Sequence, residues 1–315
     1  MGKTSPTTSL PPRVASSPGW FSVTNSPDAS THRTYANQMI DQATELRRLV
    51  LKAMRENPVT VGPPPRLLVL TGAKSGVGVT SIAVNLAVAL SQQGSRVVLV
   101  DADPHRSDVA TLCGIRQLAS CDDLALATRD VHEMLQLGPA GIQIVPGLNS
   151  QEALNNSYVL TDERFHRQLL TLGHHADVVV FDVGCADNDL TGRFCQSASD
   201  VLLLTTPDDA TVMDAYARVK TMLAEAKHPD LHVLINHSDD LAHAQDVHRR
   251  LDDSCLRFLD RRIGFAGHVP HDDRVSKAAI NGKPFLLRDP QAGCSQAVHQ
   301  LATCLTLVDS ASRAD

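Results

Sequence analysis

Aromatic residues are nearly missing from this 315-residue chain: seven Phe, three Tyr and one Trp make up 3% of it, so any core has to be aliphatic. Basic residues are in deficit too. Formal net charge is −6, and from Asp200 onward thirteen Lys and Arg face seventeen Asp and Glu. That balance argues against a nucleic-acid-binding surface. The seven cysteines are odd in number, spread from Cys113 to Cys304 and without a Cys-x-x-Cys pair, which fits reduced thiols better than a disulfide framework. The fourteen histidines are not read as a metal site, and His174-His175 reads as a helix end or surface feature. Apolar runs stop at strand length, too short to cross a bilayer as a helix. The polar, proline-rich start has no apolar segment of the signal-peptide kind, so a cytoplasmic location is expected, with transient membrane contact only through partners.

What is present is ordinary globular material, 43% apolar and 20% charged, in a length that can bury one large core or two smaller ones. Residues 1–34, rich in Ser, Thr and Pro, are expected to be a disordered tail. Over 35–57 the apolar positions Met39, Ala43, Leu46, Val50 and Ala53 recur in alternating four- and three-residue steps, the period of an amphipathic helix that ends before Asn57-Pro58. Residues 58–66, with Pro63-Pro64-Pro65, form a stiff linker. From 67 to 309 strand-like and helix-like segments alternate, and a short tail, 310–315, follows. Strands are expected at 67–71, 97–101, 142–146, 178–182, 201–206, 231–236 and 265–269. Helices are expected at 80–92, 162–174, 191–198, 210–226, 240–259, 272–280 and 291–307. Continuous aliphatic strands belong in a sheet covered on both faces. The fold class is therefore α/β, a doubly wound, mostly parallel sheet with ligands at the carboxyl ends of its strands.

The chemistry starts after the first strand. Gly72-Ala73-Lys74-Ser75-Gly76-Val77-Gly78-Val79-Thr80-Ser81 joins a buried strand to a helix through a glycine-rich turn, an arrangement whose backbone N–H groups and helix dipole converge on an anion. An ordinary P-loop ends Gly-Lys-Thr, its lysine on the β- and γ-phosphates and its hydroxyl on magnesium. Val79 stands where that lysine belongs, and Lys74 sits five residues earlier. The substitution removes a charge-assisted contact of about 1.5–3 kcal/mol. Two aspartates, Asp101 and Asp103, end the strand Val97–Asp101, and alternation is taken to send them to opposite sides so that one faces the phosphates. Val178-Val179-Val180-Phe181-Asp182, followed by Gly184, places a third carboxylate where it can hold a magnesium water shell.

The spacing Lys-x-Gly-x-Gly-x-Thr resembles the deviant Walker A loop of the MinD/ParA ATPases, with Ala73, Ser75 and Val79 departing from it. The resemblance implies a P-loop domain that binds ATP and Mg2+ and closes into a nucleotide-sandwich homodimer. In it Lys74 reaches the partner's phosphates, Asp103 orients the attacking water, and Thr80, Asp103 and Asp182 surround the metal. It also implies that Ser75, Gly76, Val77, Gly78, Val79, Thr80 and Ser81 cradle the phosphates, that Asn236 reads the adenine edge, and that the Gly-x-x-Pro-x-Asp turn at Pro270 packs beside the base. Thr206-Pro207 followed by Asp214-Ala215-Tyr216 is similar to the flagellar-number subgroup (FlhG, YlxH, FleN). So is Asp41-Gln42-Ala43-Thr44-Glu45-Leu46-Arg47, through which that subgroup engages a signal-recognition-type GTPase, FlhF. By this resemblance Asp41, Gln42, Ala43, Leu46 and Arg47 are partner-binding. The last helix carries no Lys or Arg from Gln296 to Val308, so the basic membrane-binding helix of MinD is not carried over.

Three functions are open on the sequence: a partner-regulating ATPase, a nucleotide-binding scaffold that hydrolyses ATP negligibly because of Val79, and a chromosome-partition ATPase.

Overall fold

In the computed structural model the residues described are 64–103, 105–116, 131–147, 172, 176–223 and 229–312, all within the unit Val61–Asp315. The expected tail, the partner-binding helix 35–57 with Asp41, Gln42, Ala43, Leu46 and Arg47, and most of the helix expected at 162–174 lie outside the described residues.

The strands, the central ones mostly aliphatic runs, are β1 (Arg66–Gly72), β2 (Val97–Asp101), β3 (Gln136–Leu137), β4 (Gln143–Val145), β5 (Val178–Asp182), β6 (Asp200–Thr205), β7 (Asp230–Ser238) and β8 (Gly264–Pro270). They form one eight-stranded sheet in the order β3-β4-β2-β5-β1-β6-β7-β8. Every pair is parallel except the two-residue edge pairing of β3 with β4. The helices are α1 (Val79–Gln92), α2 (Val109–Leu112), α3 (Val131–Met134), α4 (Asp189–Ser197), α5 (Asp209–Leu223), α6 (Leu241–Leu259), α7 (Asp273–Ile280), α8 (Phe285–Arg288) and α9 (Gly293–Ser312). None of the described helices is long and apolar enough to cross a membrane.

Strand alternation splits the core into two layers. Leu67, Val69, Val179 and Phe181 pack on one face against α4, α5 and α6, while Leu68, Leu70, Val178 and Val180 pack on the other against α1, α8 and α9. The aliphatic core anticipated from composition is present. Among the described residues the largest fully buried side chains include only two aromatics, Phe181 and Phe285. α1 is buried almost all round, from Ile82 through Leu90, which is the pattern of a helix enclosed by other layers. Each buried Leu or Val contributes about 1.5–3 kcal/mol. Register matters most for the site: Asp101 of β2 pairs with Asp182 of β5, and Asp182 pairs with Leu70 of β1. Three carboxyl strand ends thus meet beside the loop that leaves β1.

Candidate nucleotide site

α1 begins directly at the glycine-rich loop, and its N-terminus is bare. Its N-cap is Gly78, which offers no side-chain bond, and its first turn holds no acidic residue. The leading N–H groups of such a helix lack partners, and the positive end of its dipole favours an anion. Gly78 has φ +92°, and a Cβ there would lie 2.6 Å from Asn236 Nδ2, so glycine is required by conformation and by space. Ala73 and Ser75 are not among the positive-φ residues, which explains why the family's glycines can be replaced at both.

A cleft of about 490 Å³ opens above the loop, lined by Lys74, Ser75, Gly76, Gly78, Val79, Thr80, Ser81 and Asp103 of the sequence-predicted set. Val77 turns its side chain into the core at 1% exposure and presents its carbonyl to Asn236 Nδ2 at 2.8 Å. Asn236 is itself buried and accepts from His237 N at 3.0 Å. Its amide therefore braces the loop from below. Pro270 ends β8 and, like Asn236, is not among the cleft-lining residues.

The carboxylates sit under the loop. Asp182 is fully buried. Burial, opposed by hydrogen bonds from the Thr80 hydroxyl and Gly184 N and reinforced by the charge of Asp103, pushes its pKa up to about 6. Its Oδ2 has no partner among the described residues. Asp103 accepts from His105 N at 2.8 Å and packs on Gly184, where φ is +61° and a Cβ would lie 2.2 Å from its Oδ2. Asp101 accepts from Ser107 Oγ at 3.0 Å and from Val109 N at 3.3 Å. Burial, then the charge of Asp182, holds its carboxyl well above the usual range. Asp103 lines the cleft and Asp101 does not, but alternation to opposite sides is not the reason. Residues two apart share a face of a strand. Here the strand ends at Asp101, whose carboxylate is taken up by the following loop. The donor set of Thr80, Asp103 and Asp182 is all oxygen, with an orphaned buried carboxylate oxygen in it. That suits a hard divalent cation such as Mg2+.

Lys74 reaches across the loop to Asp208 Oδ1 at 3.2 Å with both side chains about half exposed. Val79, at the first position of α1, is 7% exposed and packed in the core. Sequence reasoning missed Arg106, which lines the cleft. It also missed Arg218 of α5, buried at 6% exposure and bonded to Asp187 Oδ1 at 2.7 Å, to the Ala186 carbonyl and to Thr71 Oγ1 at 3.4 Å. Thr71 Oγ1 in turn donates to the Gly184 carbonyl at 3.1 Å. Neither arginine belongs to a motif. Only the carboxylates and glycines around them could have pointed there.

Comparison with known proteins agrees with this geometry. The antiactivator FleN of Pseudomonas aeruginosa is 28% identical over 239 residues, covering 76% of this chain and 85% of that protein. The iron–sulfur cluster carrier protein of Deinococcus radiodurans is 30% identical over 262 residues, covering 77% and 70%. The septum site-determining protein MinD of Pyrococcus horikoshii, solved with Mg-ADP, superposes with a TM-score of 0.63 at 20% identity, covering 76% of this chain and 94% of that one. Residues 68–285 match the model of the CobQ/CobB/MinD/ParA nucleotide binding domain, and the chain belongs to that family of P-loop ATPases.

Proposed function

We propose that this protein binds ATP with Mg2+ and acts as a nucleotide-dependent dimeric switch on a partner of the flagellar placement or number type, with hydrolysis slowed by Val79. The observation that carries the reading is the bare N-terminus of α1 beneath an open cleft, with three carboxylates clustered below it. Thr80, Asp103 and Asp182 are the residues that would hold Mg2+, which when bound neutralises charge on the phosphate oxygens. Backbone N–H groups from Gly76 to Ser81 would hold the phosphates and Asp103 would orient water, while the placing of Asn236 and Pro270, which do not line the cleft, beside the base rests on the family resemblance alone. Lys74, half exposed and held among the described residues by Asp208, would serve the partner subunit's nucleotide. Kinship with FleN and the Asp214-Ala215-Tyr216 segment support the flagellar subgroup. Residues 35–57, with Asp41, Gln42, Ala43, Leu46 and Arg47, are proposed as the contact for an FlhF-like GTPase.

Calorimetric titration with ATP·Mg2+, run beside a size measurement with and without nucleotide, tests this. Saturable binding and a doubling of mass are expected; no uptake of ATP or ADP at millimolar concentration sinks the reading. Kinship with the iron–sulfur cluster carrier favours a second reading, a cluster-carrying scaffold. Clusters are held by cysteine thiolates, and the absence of any Cys-x-x-Cys pair weighs against it. Iron and sulfide content after anaerobic reconstitution separates the two.

A further inference from the structure

We propose that Arg106 supplies, within the same subunit, the positive charge that Val79 fails to bring to the γ-phosphate. The inference rests on the nucleotide-binding reading above and names a specificity residue for that site.

Among the described residues lining the cleft the cations are Lys74 and Arg106. Lys74 projects from the loop toward Asp208, which leaves Arg106 as the cation on the carboxylate side. The backbone that carries it is fixed on both flanks. His105 N donates to Asp103 Oδ1 at 2.8 Å, Ser107 Oγ donates to Asp101 Oδ2 at 3.0 Å, and Val109 N donates to the same oxygen at 3.3 Å. The segment is thus stapled to the two aspartates that end β2, and Asp103 faces the cleft.

The side chain, by contrast, is held loosely. Among the described residues its partner is Asp108, with Nε 3.3 Å from Oδ2, and the two side chains are 65% and 45% exposed. Exposed pairs of this kind contribute little and exchange readily. A phosphate offers a guanidinium a better counter-ion, because its oxygens match the planar fork and accept two parallel charge-assisted bonds. The cleft also needs such a group. Asp103 and Asp182 repel a triphosphate unless cations offset them, and the usual lysine position holds a valine buried at 7% exposure. A guanidinium entering from the loop after β2 compensates from the opposite wall. It acts where the third phosphate lies rather than along the whole chain of phosphates, so it discriminates ATP from ADP.

The test is calorimetry on the full chain with ATP·Mg2+ and ADP·Mg2+, using wild type, Arg106→Ala, Val79→Lys and the double variant. Arg106 is exposed, so its truncation leaves the fold intact, and melting temperature checks this. Arg106→Ala is expected to weaken ATP binding by about tenfold and ADP binding by much less. Val79→Lys in the Arg106→Ala background is expected to restore most of the loss, because the missing quantity is a cation and not a shape. Unchanged ATP affinity in Arg106→Ala overturns the proposal while leaving the nucleotide reading standing. So does an equal loss for ATP and ADP, or a double variant no better than the single one. A wild type that takes up neither nucleotide overturns both.

Discussion

Val79 packs closely over Gly72, where an added Cβ would meet Val79 Cγ2 at 2.8 Å, yet it also lines the cleft. A lysine there can pack its methylenes and lift its ammonium into the cleft. Val79→Lys is therefore expected to fold, to bind ATP about tenfold more tightly, and to release phosphate faster still. A phosphate-release assay decides it, and equal turnover in wild type would show that Val79 is not the limit. The buried aspartates set a pH dependence in the same small volume. Asp182 is raised from 3.8 to about 6, chiefly by burial, and Asp101 is raised as well. The folded state holds these protons more tightly than the unfolded chain does. Their contribution is thus largest at low pH, and that of Asp182 is lost as pH rises from about 4 to about 6, by roughly 3 kcal/mol. Melting of the nucleotide-free protein should fall between pH 5 and pH 7.5, and Asp182→Asn should flatten the fall. Asp208, Asp252 and Asp272, held low mainly by hydrogen bonds or an arginine, act in the opposite direction only below that window.

Elements meet at the site through side chains that no motif describes. Arg218 fastens α5 to the loop after β5, and a cavity of about 420 Å³ lies on its other side, lined by Asp187, Asn188, Thr191 and Arg218 among others. Polar bonds rather than packing hold the loop on that side. Arg218→Leu should leave two buried carbonyl and hydroxyl acceptors short of a donor, cost about 1–3 kcal/mol, and speed amide hydrogen exchange at 184–188. Unchanged exchange there would make Arg218 a merely structural residue of α5. The asymmetry in what could be read beforehand has the same origin. The strands β1, β2, β5 and β6 were legible because a strand covered on both faces reads as an aliphatic run, and their boundaries, like those of the less regular β7 and β8, match within two residues. β3 has two residues and α8 four, too short for any period to register. The loop Gly72–Ser81, Asp103 and Asp182 stood out because phosphate and metal chemistry demands those residue types at those spacings. Arg106 follows Asp103 by three residues but belongs to no motif, and Arg218 meets Thr71 across 147 positions of sequence, by a topology that pattern reading does not resolve.

At the scale of the molecule the question is what Lys74 does with its charge. Its ion pair with Asp208 is half exposed on both sides, and such a pair contributes about 0–1 kcal/mol. Asp208 does not depend on it. The Thr206 and Thr211 hydroxyls, before Lys74, hold its carboxyl well below the ordinary range, and it accepts from Thr211 N at 3.0 Å at the start of α5. Removing the lysine should therefore leave the subunit folded. If the lysine's task lies across a dimer interface, Lys74→Ala should keep its melting temperature within a degree or two and bind ADP as wild type does, because a lone subunit never used that ammonium on its own phosphates. It should fail to double in mass with a slowly hydrolysed ATP analogue, the condition under which wild type is expected to dimerise. Sedimentation velocity at matched protein and nucleotide concentrations reads both. A Lys74→Ala protein that still dimerises with the analogue, or one that loses ADP binding as a monomer, would place the ammonium on its own subunit's nucleotide.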